Sequence, residues 1–196
     1  MKILSTALIV LLAESPVAFA SKSRSSKGDD ESSSSSSSSS CGRTFKAKLS
    51  DPLGKSGVSG TVTFTCPSDF KSELTEITYN ISGLSAGKHA LHVHQEPVGD
   101  DCTSTLGHWN PENNDHGSSL DAQRHIGDLG NILADGDGNA KGTLLARAPL
   151  TGDLGINGRS VVVHAGEDDL GTGGDDGSRS VGNAGARPAC GTIYKE

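Results

Sequence analysis

Histidine is the side chain most able to do chemistry in this sequence, and its spacing is not that of scattered surface residues. His92 and His94 stand two apart in the alternating segment HALHVH, so a pleated strand turns both imidazoles to one face while Leu91 and Val93 face the core. His164 closes a second such segment, SVVVH, and shares a face with Val162. His108, His116, His125 and Asp128 then follow one another through a stretch with no strand-like period. Neutral imidazoles and a carboxylate converging on one loop are ligands for zinc or copper. Three imidazoles with one aspartate make a closed four-ligand set suited to structural zinc. His89, three residues before His92 and so on the opposite face, reads as structural, and Trp109 reads as packing.

The elements that must position these ligands are short strands. Period-two alternation runs through FKAKL (45–49), TVTFT (61–65), LTEITYNI (74–81), HALHVH (89–94), the stretch around GTLLAR, and SVVVH (160–164), with Gly, Pro, Asn and Asp clusters between. The 26 glycines, 33% hydrophobic content and 4% aromatic content argue against a large-core helical bundle and for many turns. An all-β domain, an antiparallel sandwich or barrel, is the expected class. DGDGN from Asp135 begins like a calcium loop, but Ala140 stands where that motif needs glycine, so it reads as a hairpin turn. Residues 95–130 and 165–186 lack periodicity, and such long loops need a functional reason to be ordered.

The first 20 residues, MKILSTALIVLLAESPVAFA, have a basic start, an apolar run from Ile3 to Ala13 and small residues at Ala18 and Ala20, the pattern of a cleaved secretory signal. The apolar run is too short for a bilayer span of about 20 residues. Residues 21–40, ending in the serine run Ser32 to Ser40, have nothing apolar to bury and are expected to be a disordered linker, leaving 41–196 as the folded domain. A net charge of −7 would repel nucleic acid. Four cysteines in a secreted chain allow three disulfide connectivities. Cys102 with Cys190 would tether a long loop to a strand, and Cys41 with Cys66 would join the two ends of a predicted hairpin. Asn80-Ile81-Ser82 is the sole N-x-S/T sequon, and the alternation of Leu74, Ile77, Tyr79 and Ile81 turns Asn80 outward, which makes it a candidate glycan acceptor.

Together HALHVHQ, GHWNP, RHIGDLGN, VVVHAGEDDLGTGG and GNAGARPACG make the chain resemble the copper/zinc superoxide dismutases from about Phe45 to Tyr194. The resemblance implies a Greek-key antiparallel β-sandwich, or flattened barrel, with two long functional loops. It assigns His92, His94, His108 and His164 to copper, and His108, His116, His125 and Asp128 to zinc, with His108 shared. Asp168 matches the carboxylate that bonds one ligand histidine on each side, Arg187 the arginine beside copper, and Cys102–Cys190 the family disulfide. The implied activity is conversion of superoxide to dioxygen and hydrogen peroxide, with Arg187 and His108 as the catalytic side chains. By spacing alone four imidazoles suit copper in both oxidation states without excluding zinc. A non-catalytic extracellular copper/zinc-binding protein on the same fold is the competing reading; it would need no anion-binding arginine.

The chain departs from the family pattern in four places. The segment between His94 and Cys102 is short and acidic, and the tail after Cys190 is short and polar, which puts the usual homodimer contact in doubt. Ser180 stands where a steering lysine belongs, and Val181 where a threonine lines the channel. Arg179, one residue earlier, could supply the missing charge or could merely pair with Asp175 or Asp176. The implied partner is superoxide, with no nucleic acid and no membrane span.

Overall fold

A computed structural model describes residues 43–66 and 74–196. The expected signal (1–20), the serine linker (21–40) and Cys41 lie outside the described residues. The described chain folds into nine strands, all antiparallel: β1 (Thr44–Ser50), β2 (Ser59–Thr65), β3 (Thr75–Ser82), β4 (Gly87–His94), β5 (Asp128–Ala134), β6 (Ala140–Ala146), β7 (Ser160–Val163), β8 (Ala189–Thr192) and β9 (Tyr194–Lys195). They form one curved sheet in the order β5-β4-β7-β8-β1-β2-β3-β6, with β9 on β1. The β3–β4 and β6–β7 connections join strands that are not neighbours, which gives the Greek-key crossing and the nearly closed barrel expected of the sequence. No helix among the described residues is long and apolar enough to cross a membrane.

Alternation builds the core. Phe45, Ala47 and Leu49 of β1, Val62 and Phe64 of β2, and Ile77 and Ile81 of β3 are buried inside, while their neighbours in sequence point outward. In β3 the strand begins one residue later than the sequence suggests, and buried Thr75, not Leu74, takes the first inward position, its hydroxyl donating to the carbonyl of Ala148 (2.6 Å). The DGDGN segment is the hairpin turn between β5 and β6: Asp135 accepts from the backbone N–H of Asp137 (3.0 Å) and Asn139 (2.9 Å).

Strand β4 departs from alternation because both of its faces are covered. Leu91 and Val93 pack in the barrel core, and His92 and His94 are equally buried beneath the long loops. Its pairing with β7 sets His92 opposite Val162, and its pairing with β5 sets His92 opposite Asp128, past a register shift after Ala90. Strand β5 begins in the segment expected to be irregular and escapes period-two reading at that end, where Asp128, Leu129 and Gly130 are buried in succession. Strands β8 and β9 are four and two residues long, too short to register as periodic.

The loops are ordered by specific contacts. The first carries a 3₁₀ turn, Cys102–Thr105, capped by the Asp101 carboxylate and joined to β8 by the Cys102–Cys190 disulfide with Cα atoms 5.6 Å apart. Cys66 is also disulfide-bonded. The second loop, expected to lack structure, carries the short helix α1 (Asp176–Val181), capped by Asp175 and ended by Gly182.

A backbone clasp fixes the first loop to β4. The N–H of Trp109 donates to the Val93 carbonyl (2.8 Å), the N–H of Val93 to Gly127 (2.8 Å) and the N–H of Gly127 to Trp109 (3.0 Å). A Cβ on Gly127 would be driven into the Val93 carbonyl and against the Trp109 nitrogen. Gly127→Ala is therefore expected to cost about 1–3 kcal/mol, the range for overpacking. It should also lower retained metal, read by thermal melting and metal content.

Candidate metal centre

Every buried imidazole must place an N–H on an acceptor and find something for its other nitrogen. His94 Nδ1 donates to the carbonyl of Leu106 (2.8 Å), and His164 Nδ1 to that of Gly185 (3.2 Å). Leu106 has a positive φ of 61°, a conformation costly for a branched side chain, and it is this carbonyl that meets His94. With both N–H groups so used, the lone pairs of His94 Nε2 and His164 Nε2 face each other 3.3 Å apart. His92 gives its Nε2 proton to Asp168 Oδ2 (2.8 Å), and its Nδ1 is buried with no hydrogen-bond partner. His108 Nε2 is likewise buried and unpartnered. One nitrogen from each of His92, His94, His108 and His164 lies within 4.8 Å of the others.

A second convergence centres on Asp128. Its Oδ1 lies 3.0 Å from His108 Nδ1, 2.9 Å from His116 Nδ1 and 3.2 Å from His125 Nδ1, and the nitrogens of His108 and His125 are 3.2 Å apart. His116 Nδ1, though close to that oxygen, is not in hydrogen-bonding geometry with it. Ligand atoms on a tetrahedral zinc, with bonds of about 2.0–2.1 Å, sit about 3.3 Å from one another, so these spacings suit one ion. Asp128 Oδ2 is held by the N–H groups of His125 (2.8 Å) and Gly117 (3.1 Å). His125 Nε2 donates to the Asn114 carbonyl (3.1 Å), and His116 Nε2 to Asp168 Oδ1 (2.7 Å). By distance alone His92 also falls near His108, His116 and Asp128. Its one remaining nitrogen belongs with His94 and His164, and His125 completes the set around Asp128.

His108 therefore has both nitrogens free of acceptors other than ligand atoms, one directed into each cluster. Asp168 spans the same gap through two hydrogen bonds. Burial opposes its charge, but the bonds from His116 and His92 prevail and hold the carboxyl below the usual carboxylate range. Asp128 is held lower still, its contacts with His108, His116 and His125 outweighing burial. Burial pushes His92 and His164 down to about 4 and His108 to about 3, and sets His94 well below its ordinary value. The charge of Arg187 adds to the depression at His94 and His164, which puts that guanidinium within electrostatic reach of the cluster. Half-buried Arg187 is fixed by Nη1 donating to the Cys102 carbonyl (3.1 Å) and the Thr105 hydroxyl (3.3 Å).

The sequence-stated ligands all converge, and the structure adds residues that the sequence reading did not single out. Asn131 of β5 holds the Asp168 backbone from both sides, donating to its carbonyl (2.9 Å) and accepting its N–H (2.8 Å). Gly182 lets the second loop close on Asp168 and His116, where any Cβ would clash with both. His89 is structural as expected, its Nδ1 2.8 Å from the His164 carbonyl oxygen. Trp109 packs under the Arg159 guanidinium, 3.1 Å from the ring centroid, and its indole N–H donates to Leu154 (3.0 Å). Arg179 pairs with Asp176 on α1, and a cavity reaching His108 and His125 is rimmed by Arg179, Ser180 and Val181.

The family model described as copper/zinc superoxide dismutase (SODC) matches residues 58–193. Curated superoxide dismutases (Cu-Zn) of Yarrowia lipolytica, Cordyceps militaris and Botryotinia fuckeliana are 49%, 48% and 47% identical over 145 residues, covering 71% of this chain and 92% of each relative. A solved structure titled as a crystal structure analysis of the clock protein EA4 superposes with a TM-score of 0.70 at 37% identity, over 77% of this chain and 93% of that one.

The titrations fix how metal-free protein responds to pH. His92, His108 and His164 take up protons on unfolding below their ordinary 6.5, so the stability their burial allows is lost as pH falls from 6.5 through about 4 and 3. His116 runs the other way. Burial pulls it down, but Asp128 and Asp168 raise it to about 9, so its contribution is full below 6.5 and lost as pH rises through 9. Chelated protein is expected to melt highest near neutral pH and lower on both sides, read by calorimetry across pH 4–10.

Proposed function

Since this chain belongs to the copper/zinc superoxide dismutase family, and is by that membership a copper- and zinc-dependent oxidoreductase acting on superoxide, we propose a division of labour among its own residues. His92, His94, His108 and His164 hold copper, and His108, His116, His125 and Asp128 hold zinc. Copper held there would supply one-electron chemistry, by which two superoxides and two protons become dioxygen and hydrogen peroxide. The observation that carries this reading is His108, whose two nitrogens serve two clusters while every other ligand imidazole spends one on a fixed acceptor.

Each residue's part follows from its surroundings. The depressed titration of the four copper-side imidazoles keeps their lone pairs available at neutral pH without competing protons. His108 Nε2, dry and without a protein acceptor, is the atom that can carry a proton to the departing peroxide. Arg187, anchored on the disulfide loop, binds the superoxide anion by charge and hydrogen bonds. We place the protein outside the cell; the secretory pattern of residues 1–20 and the absence of free cysteines among the described residues support this.

His164→Ala is expected to abolish dismutation in a folded protein that keeps its zinc, whereas Asp128→Ala mainly lowers zinc content and melting temperature. Metal analysis, calorimetry and superoxide removal assays check this, and equal collapse of both variants would refute the division.

Long-range steering turns on α1. The overall charge of −7 repels superoxide, and at the rim the Arg179 charge is offset by Asp176. Both side chains are exposed, and such pairs are worth only about 0–1 kcal/mol. Asp176→Asn is expected to raise the second-order rate constant a few-fold at low ionic strength and Arg179→Gln to lower it. Both differences should fade near 0.15 M salt, where the Debye length is about 8 Å. Stopped-flow rates over a salt series measure it, at constant copper content.

A further inference from the structure

The sheet order leaves β5 and β6 as its two ends, joined in sequence by the turn at Asp135 but not hydrogen-bonded to each other. This seam is where the barrel fails to close, and unpaired strand edges are templates for association between chains. Leu133 of β5, beside the seam, is the most exposed of the large apolar side chains among the described residues, at 65%. A groove there is lined by Asn80, Leu133, Asp135, Asn139 and Lys141. Asn80 belongs to β3 and pairs in register with Lys141 of β6, which carries the acceptor of the chain's one sequon to the wall of that groove. Asn80 and Ser82 are both exposed, and the sequon hydroxyl makes only a long bond, 3.5 Å, to the Ser59 carbonyl on the neighbouring strand.

We propose that Asn80 bears an asparagine-linked oligosaccharide whose first sugars lie in this groove and shield the β5–β6 seam. The proposal rests on the extracellular reading above. In the transfer, Asn80 Nδ2 forms a bond to the anomeric carbon of an N-acetylhexosamine carried by a lipid pyrophosphate. The bond from that carbon to the pyrophosphate oxygen breaks, the lipid pyrophosphate leaves, and one amide proton goes to base. No oxidation state changes. The groove offers what such a sugar takes: an apolar surface at Leu133 for its C–H face, and Asp135, Asn139 and Lys141 around it for its hydroxyls.

The test uses the full chain expressed through its own leader in a glycosylating eukaryotic host. Secreted protein is digested with and without peptide N-glycosidase in heavy-oxygen water. The peptide holding Asn80 is expected to carry a hexosamine-based glycan and to return as labelled Asp, and Asn80→Gln should lose it with dismutase activity unchanged. Secreted chain with an unmodified Asn80 overturns the site. A chain that never reaches the medium overturns the extracellular reading and the glycan with it. For the shielding role, deglycosylated protein is expected to aggregate several-fold faster than glycosylated protein under mild heating. Leu133→Ser in the Asn80→Gln background should recover most of the difference, and equal aggregation with and without the glycan overturns shielding.

Discussion

A neutral imidazole has one N–H and one lone pair, and in a dry site both must be accounted for. This protein gathers six ligand imidazoles in one buried region and settles five of them by giving each a fixed acceptor. The acceptors are the carbonyls of Leu106, Asn114 and Gly185 and the two oxygens of Asp168. They come from both long loops, so the lone pairs converge only if both loops are in place. The need to place protons thus orders segments whose own composition would leave them irregular. Leu106 illustrates the cost, since a branched residue is held at positive φ where its carbonyl serves His94.

The two buried carboxylates need compensation as much as the imidazoles do. Asp128 and Asp168 remain anionic in nearly dry surroundings, which is tolerable only with positive charge close by. His116 lies against both; burial pulls its titration down, but the two carboxylates prevail and raise it to about 9. Asp168 also bonds His92, and so the two metal clusters share a carboxylate as well as the His108 ring.

What could be read from the sequence divides along physical lines. Strands with one wet face alternate, and β1, β2, β3 and β6 were legible within a residue or two. His92 and His94 were legible because two-residue spacing has one meaning on a pleat. Strand β5 was not, since the consecutive burial of Asp128, Leu129 and Gly130 masks the alternation that its second half, with exposed Leu133, does show. Helix α1 was hidden because Gly, Asp and Ser predominate there and its formation depends on the Asp175 cap and the Gly182 stop. Asn131 sat unremarked within RHIGDLGN because its role, gripping the backbone of a residue 37 positions away, leaves no local pattern. That Arg179 pairs with Asp176, and not with Asp175, is set by a rotamer, which spacing does not fix.

The two metal clusters are built by different parts of the fold, and their energetics should differ accordingly. His92 and His94 lie on β4, which is hydrogen-bonded on both edges, and His164 directly follows β7, its neighbour in the sheet. The barrel places those three side chains, and the loop acceptors Asp168, Leu106 and Gly185 then orient their lone pairs. Around Asp128, by contrast, His108, His116 and His125 all come from the first long loop, and only the aspartate stands at a strand end. Ordering a loop costs about 1–2 kcal/mol per residue in backbone entropy, so placing the Asp128 cluster carries a cost that placing the strand-borne histidines does not. Because His108 belongs to both clusters, fixing the loop also sets its ring against the histidines that β4 and β7 carry. The first long loop and the barrel are thereby coupled through one ring.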